Sequence, residues 1–90
     1  MTAENELPKG KQIGKVTHFF NKIGVAVLEL DSDLKVGETI VISGRGQEFE
    51  QKVDSMQVEH QQVAVAKKGD AVGMKVDEAV KEGDAVYLKG

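Results

Sequence analysis

Short apolar runs separated by polar, glycine-containing turns make up most of this sequence. The runs alternate with polar residues or stay apolar over roughly four to eight residues, which is typical of β-strands and not of amphipathic helices. A shorter apolar segment lies at 63–66. The longer runs predict strands over 13–20, 23–30, 38–43, 48–58, 70–76 and 85–89. The pattern therefore predicts an all-β domain of six or seven strands with no helix of ordinary length.

One phrase, Lys-x-Gly-acid-small-β-branched, occurs three times, at 35–40, 67–72 and 81–86. Glycine supplies the positive φ that a tight turn needs, and the acid that follows it can bond neighbouring backbone groups. The β-branched residue then opens an apolar strand. We expect three equivalent turns, each leading into a strand. Gly73, inside the strand after the second copy, predicts a close approach of another backbone.

Two of the predicted strands differ in the faces they present. The strand 38–43 alternates, which places Ile40 and Ile42 on the core side. The strand 23–30 is apolar at nearly every position, so alternation does not show which face is inward. It is either buried on both faces or exposes one face as a partner surface.

The segment 48–58 is longer than the other runs and changes phase along its length, because Val53 and Met56 fall on opposite faces of one continuous strand. Such a change predicts a bulge or bend, here at Asp54-Ser55, which is a usual device for curving a sheet into a barrel. The polar residues 59–62 are expected to form a loop. Because closure hides the edges of a small sheet, we predict a small closed antiparallel β-barrel.

The domain organisation expected from the sequence is a flexible N-terminal leader at 1–12 followed by a single barrel domain at 13–90. The leader is polar and carries Pro8 and Gly10, whereas the periodic pattern begins at Ile13. Ninety residues are enough for one modest core and too few for two.

Composition narrows the classes of function. The chain has 40% hydrophobic and 30% charged residues, as in ordinary globular domains. It has no cysteine, which excludes a disulfide framework and a cysteine nucleophile and makes the cytoplasm the expected compartment. No apolar run approaches the roughly 18–20 residues of a membrane helix. The net charge of −3 argues against coating nucleic acid non-specifically and leaves room for a local basic patch.

The residues that could carry chemistry lack the partners that chemistry needs. His18 and His60 have no further ligands at zinc spacing. No serine lies in a G-x-S-x-G turn. Gly44-Arg45-Gly46 would suit an anion, but without a following helix it predicts a hairpin tip. We therefore expect a chain that is not an enzyme and holds no metal or cofactor.

Five short motifs occur in a recognisable order, namely Gly14-Lys15-Val16, the segment 34–40, the segment 53–57, the segment 69–73 and Gly83-Asp84. Together they resemble the second, β-barrel domain of translational GTPases such as elongation factor Tu, over 13–89. A similar barrel is also appended to other enzymes, including collagenase-like peptidases that act on RNA modification. The chain has no P-loop, so no GTP binding is expected.

This resemblance implies a non-enzymatic binding module of translation or RNA modification that contacts tRNA, ribosomal RNA or a ribonucleoprotein. The positions that hold the aminoacylated tRNA end in the family fall on Gln57, His60 and Ala71, of which Ala71 lacks a polar side chain. A basic strip on one side of the barrel is expected to make the contacts. The candidate contact residues for RNA or a partner are Lys15, Arg45, Lys52, Gln57, His60 and Lys67.

The alternative is a protein–protein adaptor or accessory domain that makes no RNA contact. It would use the apolar strand 23–30, or an exposed aromatic side chain at Phe19 or Phe20, to bind a protein or a second copy of the chain. The sequence leaves the identity of the partner and the oligomeric state open.

Overall fold

The computed structural model describes residues 10–44 and 47–89, which form ten β-strands and no helix. The strands are β1 (Gln12–Phe20), β2 (Val25–Leu30), β3 (Leu34–Lys35), β4 (Thr39–Gly44), β5 (Gln47–Lys52), β6 (Met56–Val58), β7 (Gln61–Val63), β8 (Val65–Ala66), β9 (Ala71–Lys75) and β10 (Ala85–Leu88). Along these residues no helix has the length and apolarity that a membrane crossing requires.

Eight of the strands form one antiparallel sheet in the order β5-β4-β10-β1-β2-β9-β6-β7, and β3 pairs with β8 as a separate two-stranded sheet. The large sheet curls into an open half-barrel, because its end strands β5 and β7 do not pair with each other in the described part of the chain. The expected all-β antiparallel architecture is confirmed. The expected closure is wrong, and the strands are more numerous than predicted, most of them shorter.

The core lies inside the curl and is almost purely aliphatic. Ile40 and Ile42 face it, as the alternation of their strand predicted. Phe49 is the one buried aromatic residue among the described residues. The other fully buried core side chains include Ile13, Val16, Leu28, Leu30, Leu34, Val53, Met56, Val72 and Val86.

The three repeated phrases fold as the same β-turn, at 35–38, 67–70 and 81–84. The glycine of each turn has φ between 91° and 99°, which is the conformation that a type II turn requires at its third residue. The acid N–H donates to the lysine carbonyl at 2.9–3.2 Å, and the lysine N–H donates to the acid carboxylate at 2.8–2.9 Å. The prediction of three equivalent turns is confirmed.

Each of these turns is also joined to a buried residue of another part of the chain by the same two hydrogen bonds. The partners are Val53 for the first turn, Leu30 for the second and Val16 for the third. The glycine N–H donates to the partner's carbonyl at 2.7–2.9 Å, and the partner's N–H donates to the acid's carbonyl at 2.8–3.1 Å. The turns therefore extend the strand ladders and fix where the strands begin.

The predicted long strand 48–58 is two strands, β5 and β6, at different positions in the sheet. Val53 leaves β5 because its N–H and carbonyl bond to Glu38 and Gly37. The chain then crosses at Asp54 and Ser55 to begin β6, so the expected bend is a break between strands.

A tight turn replaces the loop expected at 59–62. Glu59 and His60 have φ of 53° and 66°, and Gln61 already pairs with Val58 in the β6–β7 hairpin. Two consecutive positive-φ residues match the twist of a two-residue hairpin connection. Neither residue is glycine or asparagine, so the usual sequence signal for this turn is missing.

The N-terminal leader falls mostly on residues 1–9, outside the described residues. Gly10 donates its N–H to the carbonyl of Leu88 at 2.6 Å, and the N–H of Leu88 donates to the carbonyl of Lys11 at 2.9 Å. The strand β1 then begins at Gln12. The division into leader and barrel domain stays a prediction.

Candidate interaction surface

The residues predicted to contact RNA or a partner lie on several parts of the sheet. Lys15 is exposed in the middle of β1, Lys52 ends β5, and Gln57 lies on β6. His60 is in the β6–β7 turn, and Lys67 begins the second repeated turn. Arg45 lies outside the described residues.

The structure brings two of these residues near each other and separates the rest. Lys52 and Gln57 line adjoining grooves that share Ser55 and Lys75. Lys15 lies elsewhere, directly opposite Glu29 in the β1–β2 register. Lys15 thus faces a carboxylate, and the basic strip expected on one side of the barrel stays a prediction.

The first groove lies at the open seam of the half-barrel, and Gln51 bridges this seam. Its side-chain N–H donates to the carbonyl of Lys75 at 2.9 Å, and its oxygen accepts the N–H of Asp77 at 2.8 Å. Gln51 is the one polar side chain among the described residues that is buried, with 8% exposure. Both polar ends of its amide are thus used to connect β5 to the chain at the end of β9.

The seam groove is charged but nearly balanced. Lys52 and Lys75 face it together with Asp54 and Asp77, and its volume is about 360 Å³. An anion or a cation would meet a like charge as well as an opposite one there. The arrangement does not favour a ligand of either sign.

The second groove lies over Gly73 on the outer face of the sheet. It has a volume of about 220 Å³ and is lined by Val25, Gln57 and Lys75 among others. A Cβ atom added to Gly73 would meet nothing nearer than Val25 Cγ1 at 3.8 Å. The close backbone approach expected at Gly73 is therefore wrong, and the missing side chain instead leaves a shallow depression.

An apolar surface adjoins this groove at the tip of the β1–β2 hairpin. Phe20 is 46% exposed and Ile23 61% exposed, while Val25 and Val27 are half-buried on the same outer face. Phe20 lies opposite Val25, and His18 lies opposite Val27. We call Phe20, Ile23, Val25 and Val27 the hairpin patch.

A β-bulge decides which aromatic residue reaches this surface. The β1–β2 register shifts between Val16 and His18, and Thr17 in the bulge donates its hydroxyl to the carbonyl of Val27 at 3.2 Å. The shift reverses the alternation, so that Phe19 packs against the core and Phe20 points outward. Strict alternation from Val16 would place Phe20 inside, which explains why the sequence alone did not identify the exposed aromatic residue.

His18 lies at the base of the hairpin patch. Its ring contacts the edge of Phe20 with 4.4 Å between centroids, and Nδ1 lies 3.2 Å from the Glu82 carboxylate. Both side chains of the His18–Glu82 pair are more than half exposed, at 51% and 65%. Water can therefore reach this pair freely, and the exposed pair positions the histidine ring against Phe20.

Metal-ligand geometry is also missing from the described part of the chain. No group of three or more histidine, cysteine, aspartate or glutamate side chains converges there.

The grooves and the hairpin patch form one continuous outer surface through Val25, Lys75 and Ser55. Both grooves open to solvent, so this outer surface is the candidate for contact with a partner.

Two relatives identify the kind of protein in which this sequence recurs. The chain is 49% identical over 78 residues to an uncharacterized protease of Methanocaldococcus jannaschii, covering 86% of the chain and 19% of that protein. It is 36% identical over 77 residues to a collagenase of Porphyromonas gingivalis, covering 83% of the chain and 21% of that protein. The chain spans about a fifth of the length of these relatives. No protein-family profile matches the chain.

Two solved structures share the fold of this chain. The C-terminal domain of a U32 peptidase candidate from Geobacillus thermoleovorans matches with a TM-score of 0.84, covering 89% of the chain and 93% of that domain. Its selenomethionine variant matches with a TM-score of 0.83, covering 87% and 99%. The translation-factor assignment is wrong. At 16% identity these structures show the fold alone.

The functional expectations that depended on that assignment are corrected with it. The relatives found by sequence are named as a protease and a collagenase, and neither name refers to translation or RNA. A role in protein biosynthesis through tRNA or ribosomal RNA is therefore not supported. The three repeated turns account for the Gly-acid pairs in three of the five motifs, at 34–40, 69–73 and 83–84.

Proposed function

We propose that the chain is a non-catalytic accessory domain of a U32-type peptidase. The observation that carries this proposal is the 49% identity over 78 residues with an uncharacterized protease, a likeness limited to about a fifth of that protein. Sequence likeness over one small domain supports a shared role for that domain, while the chemistry of a whole protein depends on its own site.

The geometry of the outer surface supports the non-catalytic part of the proposal. Peptide hydrolysis needs a nucleophile or an activated water held beside a general base in a sheltered cleft. The described histidine–carboxylate pair is more than half exposed, and neither groove beside Ser55 is lined by a histidine. The chain would therefore assist a peptidase by binding it or its substrate. The cytoplasmic location expected from the sequence stays a prediction.

Two measurements test the proposal. The first is cleavage of gelatin by the 90-residue chain alone, with the Porphyromonas gingivalis collagenase as the positive control. The second is size-exclusion chromatography with light scattering, in which the chain is mixed with the Methanocaldococcus jannaschii relative lacking its 78 matched residues. We expect no cleavage by the chain and a one-to-one complex with the shortened relative.

Either part of the proposal can fail separately. Cleavage by the chain alone at a rate near that of the collagenase would contradict a non-catalytic role. Separate elution of the chain and a folded shortened relative, at concentrations up to about 100 μM, would contradict the accessory role.

A further inference from the structure

The hairpin patch is an apolar feature of the described surface that the proposed function does not yet explain. Among the described residues, four large hydrophobic side chains are exposed, namely Phe20, Ile23, Val36 and Val65. The two bulkiest lie together at the β1–β2 tip, while the two valines lie on or beside the small β3–β8 sheet. An exposed cluster with an aromatic residue at its centre is typical of a protein-binding surface.

Two lysines lie beside the apolar centre of this patch. Of the four lysines between Glu6 and Glu29, a stretch without an acidic residue, Lys22 lies at the tip, whereas Lys11 and Lys15 lie toward the other end of β1. Lys22 is exposed in the hairpin turn, and Lys75 lies opposite Val25 on β9. Lys22 and Lys75 beside the apolar side chains complement a partner surface that is apolar and carries acidic groups facing these two lysines.

Among the described residues, carboxylates also border the patch, including Glu29, which follows Val27 on the outer face of β2. Glu82 lies against His18 at the base of the hairpin. Asp77 follows Val76, whose N–H donates to the carbonyl of Gly24 at 3.0 Å. The apolar centre at Phe20 and Ile23 is therefore bordered by Lys22, with the acids set to either side.

A second copy of the chain is a poor occupant of this surface. A two-fold symmetric contact would place each basic tip against the other and bring Lys22 toward Lys22. Like charges facing each other across a contact are unfavourable. The partner that binds the hairpin patch is therefore expected to be a surface of a different polypeptide.

About four fifths of each sequence relative lies outside the matched segment. In those proteins the corresponding domain is joined to a larger body of protein. We propose that the hairpin patch is the surface by which this chain docks on the peptidase portion, through a contact on that portion that combines apolar and acidic side chains. This inference rests on the proposed accessory role.

The test is isothermal titration of the whole chain into the Methanocaldococcus jannaschii relative lacking its 78 matched residues, at about 0.15 M salt. The patch variants are Phe20→Ser, Ile23→Ser and Lys22→Glu. The matched controls are Val36→Ser and Val65→Ser, which remove exposed apolar side chains of 39% and 42% exposure from the other surface. Thermal unfolding of each variant verifies that it folds.

We expect Phe20→Ser and Ile23→Ser each to weaken binding by about tenfold or more, as truncation of a central interface residue does. Lys22→Glu should weaken binding and reduce its dependence on salt. Both valine controls should stay within about twofold of the wild-type affinity. If the shortened relative is insoluble by itself, its soluble yield on co-expression with each variant gives the same ranking.

The outcomes separate this inference from the proposed function. If the wild-type chain binds and all three patch variants bind equally well, the contact is not made by the hairpin patch, while the accessory role is still supported. Loss of binding in the valine controls alone would assign the contact to the β3–β8 surface. No binding by the wild-type chain to a folded relative would overturn both, and patch-dependent binding to a transfer RNA with none to the relative would do the same.

Discussion

Replacing Gln51 by methionine removes the amide that joins the two sides of the open seam while keeping a side chain of similar length. The wild-type amide makes two hydrogen bonds, to the carbonyl of Lys75 and from the N–H of Asp77, at 2.9 and 2.8 Å. In the variant these two backbone groups lose their partner beside a thioether that cannot replace it. The backbone ladder does not close the half-barrel, so the side chain supplies the bridge.

The expected loss in free energy of unfolding follows from the two lost hydrogen bonds. Each contributes about 1 kcal/mol net, and a buried group left without a partner costs about 1–3 kcal/mol. Lys75 and Asp77 are exposed residues, so water can reach part of the site and the lower end applies. We expect a loss of about 2 kcal/mol, which for a domain of this size lowers Tm by roughly 8–16 °C.

The assay is thermal and urea unfolding followed by circular dichroism. Gln57→Met is the matched control, because Gln57 is exposed on β6 and the same atoms are exchanged there. We expect the control to stay within about 0.5 kcal/mol of wild type, as surface substitutions do. A Gln51→Met variant as stable as this control would refute the view that the side-chain bridge stabilises the open barrel.

Three glycine substitutions make further predictions, each measured by the same unfolding experiments. Gly14→Ala should lose about 1–3 kcal/mol, because its Cβ would overlap the backbone carbonyl of Glu29, and a variant as stable as wild type would contradict the β1–β2 packing. Gly69→Ala should lose about 1 kcal/mol or more, since φ is +91° there, and an unchanged Tm would contradict the type II turn. Gly73→Ala should be nearly neutral, because the nearest atom to its Cβ is 3.8 Å away, and a large loss would contradict the open groove.

The local part of the fold was predictable because it depends on neighbouring residues. The turns 35–38, 67–70 and 81–84 each combine a glycine that accepts positive φ with an acid that bonds the preceding lysine N–H. Both requirements are visible in four consecutive residues. The inward faces of Ile40 and Ile42 followed in the same way from alternation.

The non-local part was not predictable from the same signals. Val53 ends β5 because it bonds to Gly37 and Glu38, which lie fifteen or more positions earlier in the chain. Alternation is also the same in a closed barrel and in an open sheet of equal curvature, so closure could not be determined. The seam bridge of Gln51 was missed because a glutamine among alternating polar residues looks like a solvent-facing one.

The candidate surface was predicted only in part. The adaptor alternative named Phe19, Phe20 and the strand 23–30, and the structure exposes Phe20 beside Val25 and Val27. The bulge at Thr17 selects which phenylalanine faces outward, and no residue type in that strand announces it. The RNA hypothesis is wrong because it depended on the resemblance to translation factors, whereas the relatives found by sequence are named as a protease and a collagenase.

Docking through the hairpin patch is tested most directly by nuclear magnetic resonance of the ¹⁵N-labelled chain titrated with the shortened Methanocaldococcus jannaschii relative. Backbone amide resonances report each contacted residue separately. We expect the shifts and line broadening to concentrate on residues 18–27, with the β7 and β8 resonances unchanged. An unchanged spectrum in the presence of a folded relative, or changes confined to β7 and β8, would contradict an accessory domain that docks through the hairpin patch.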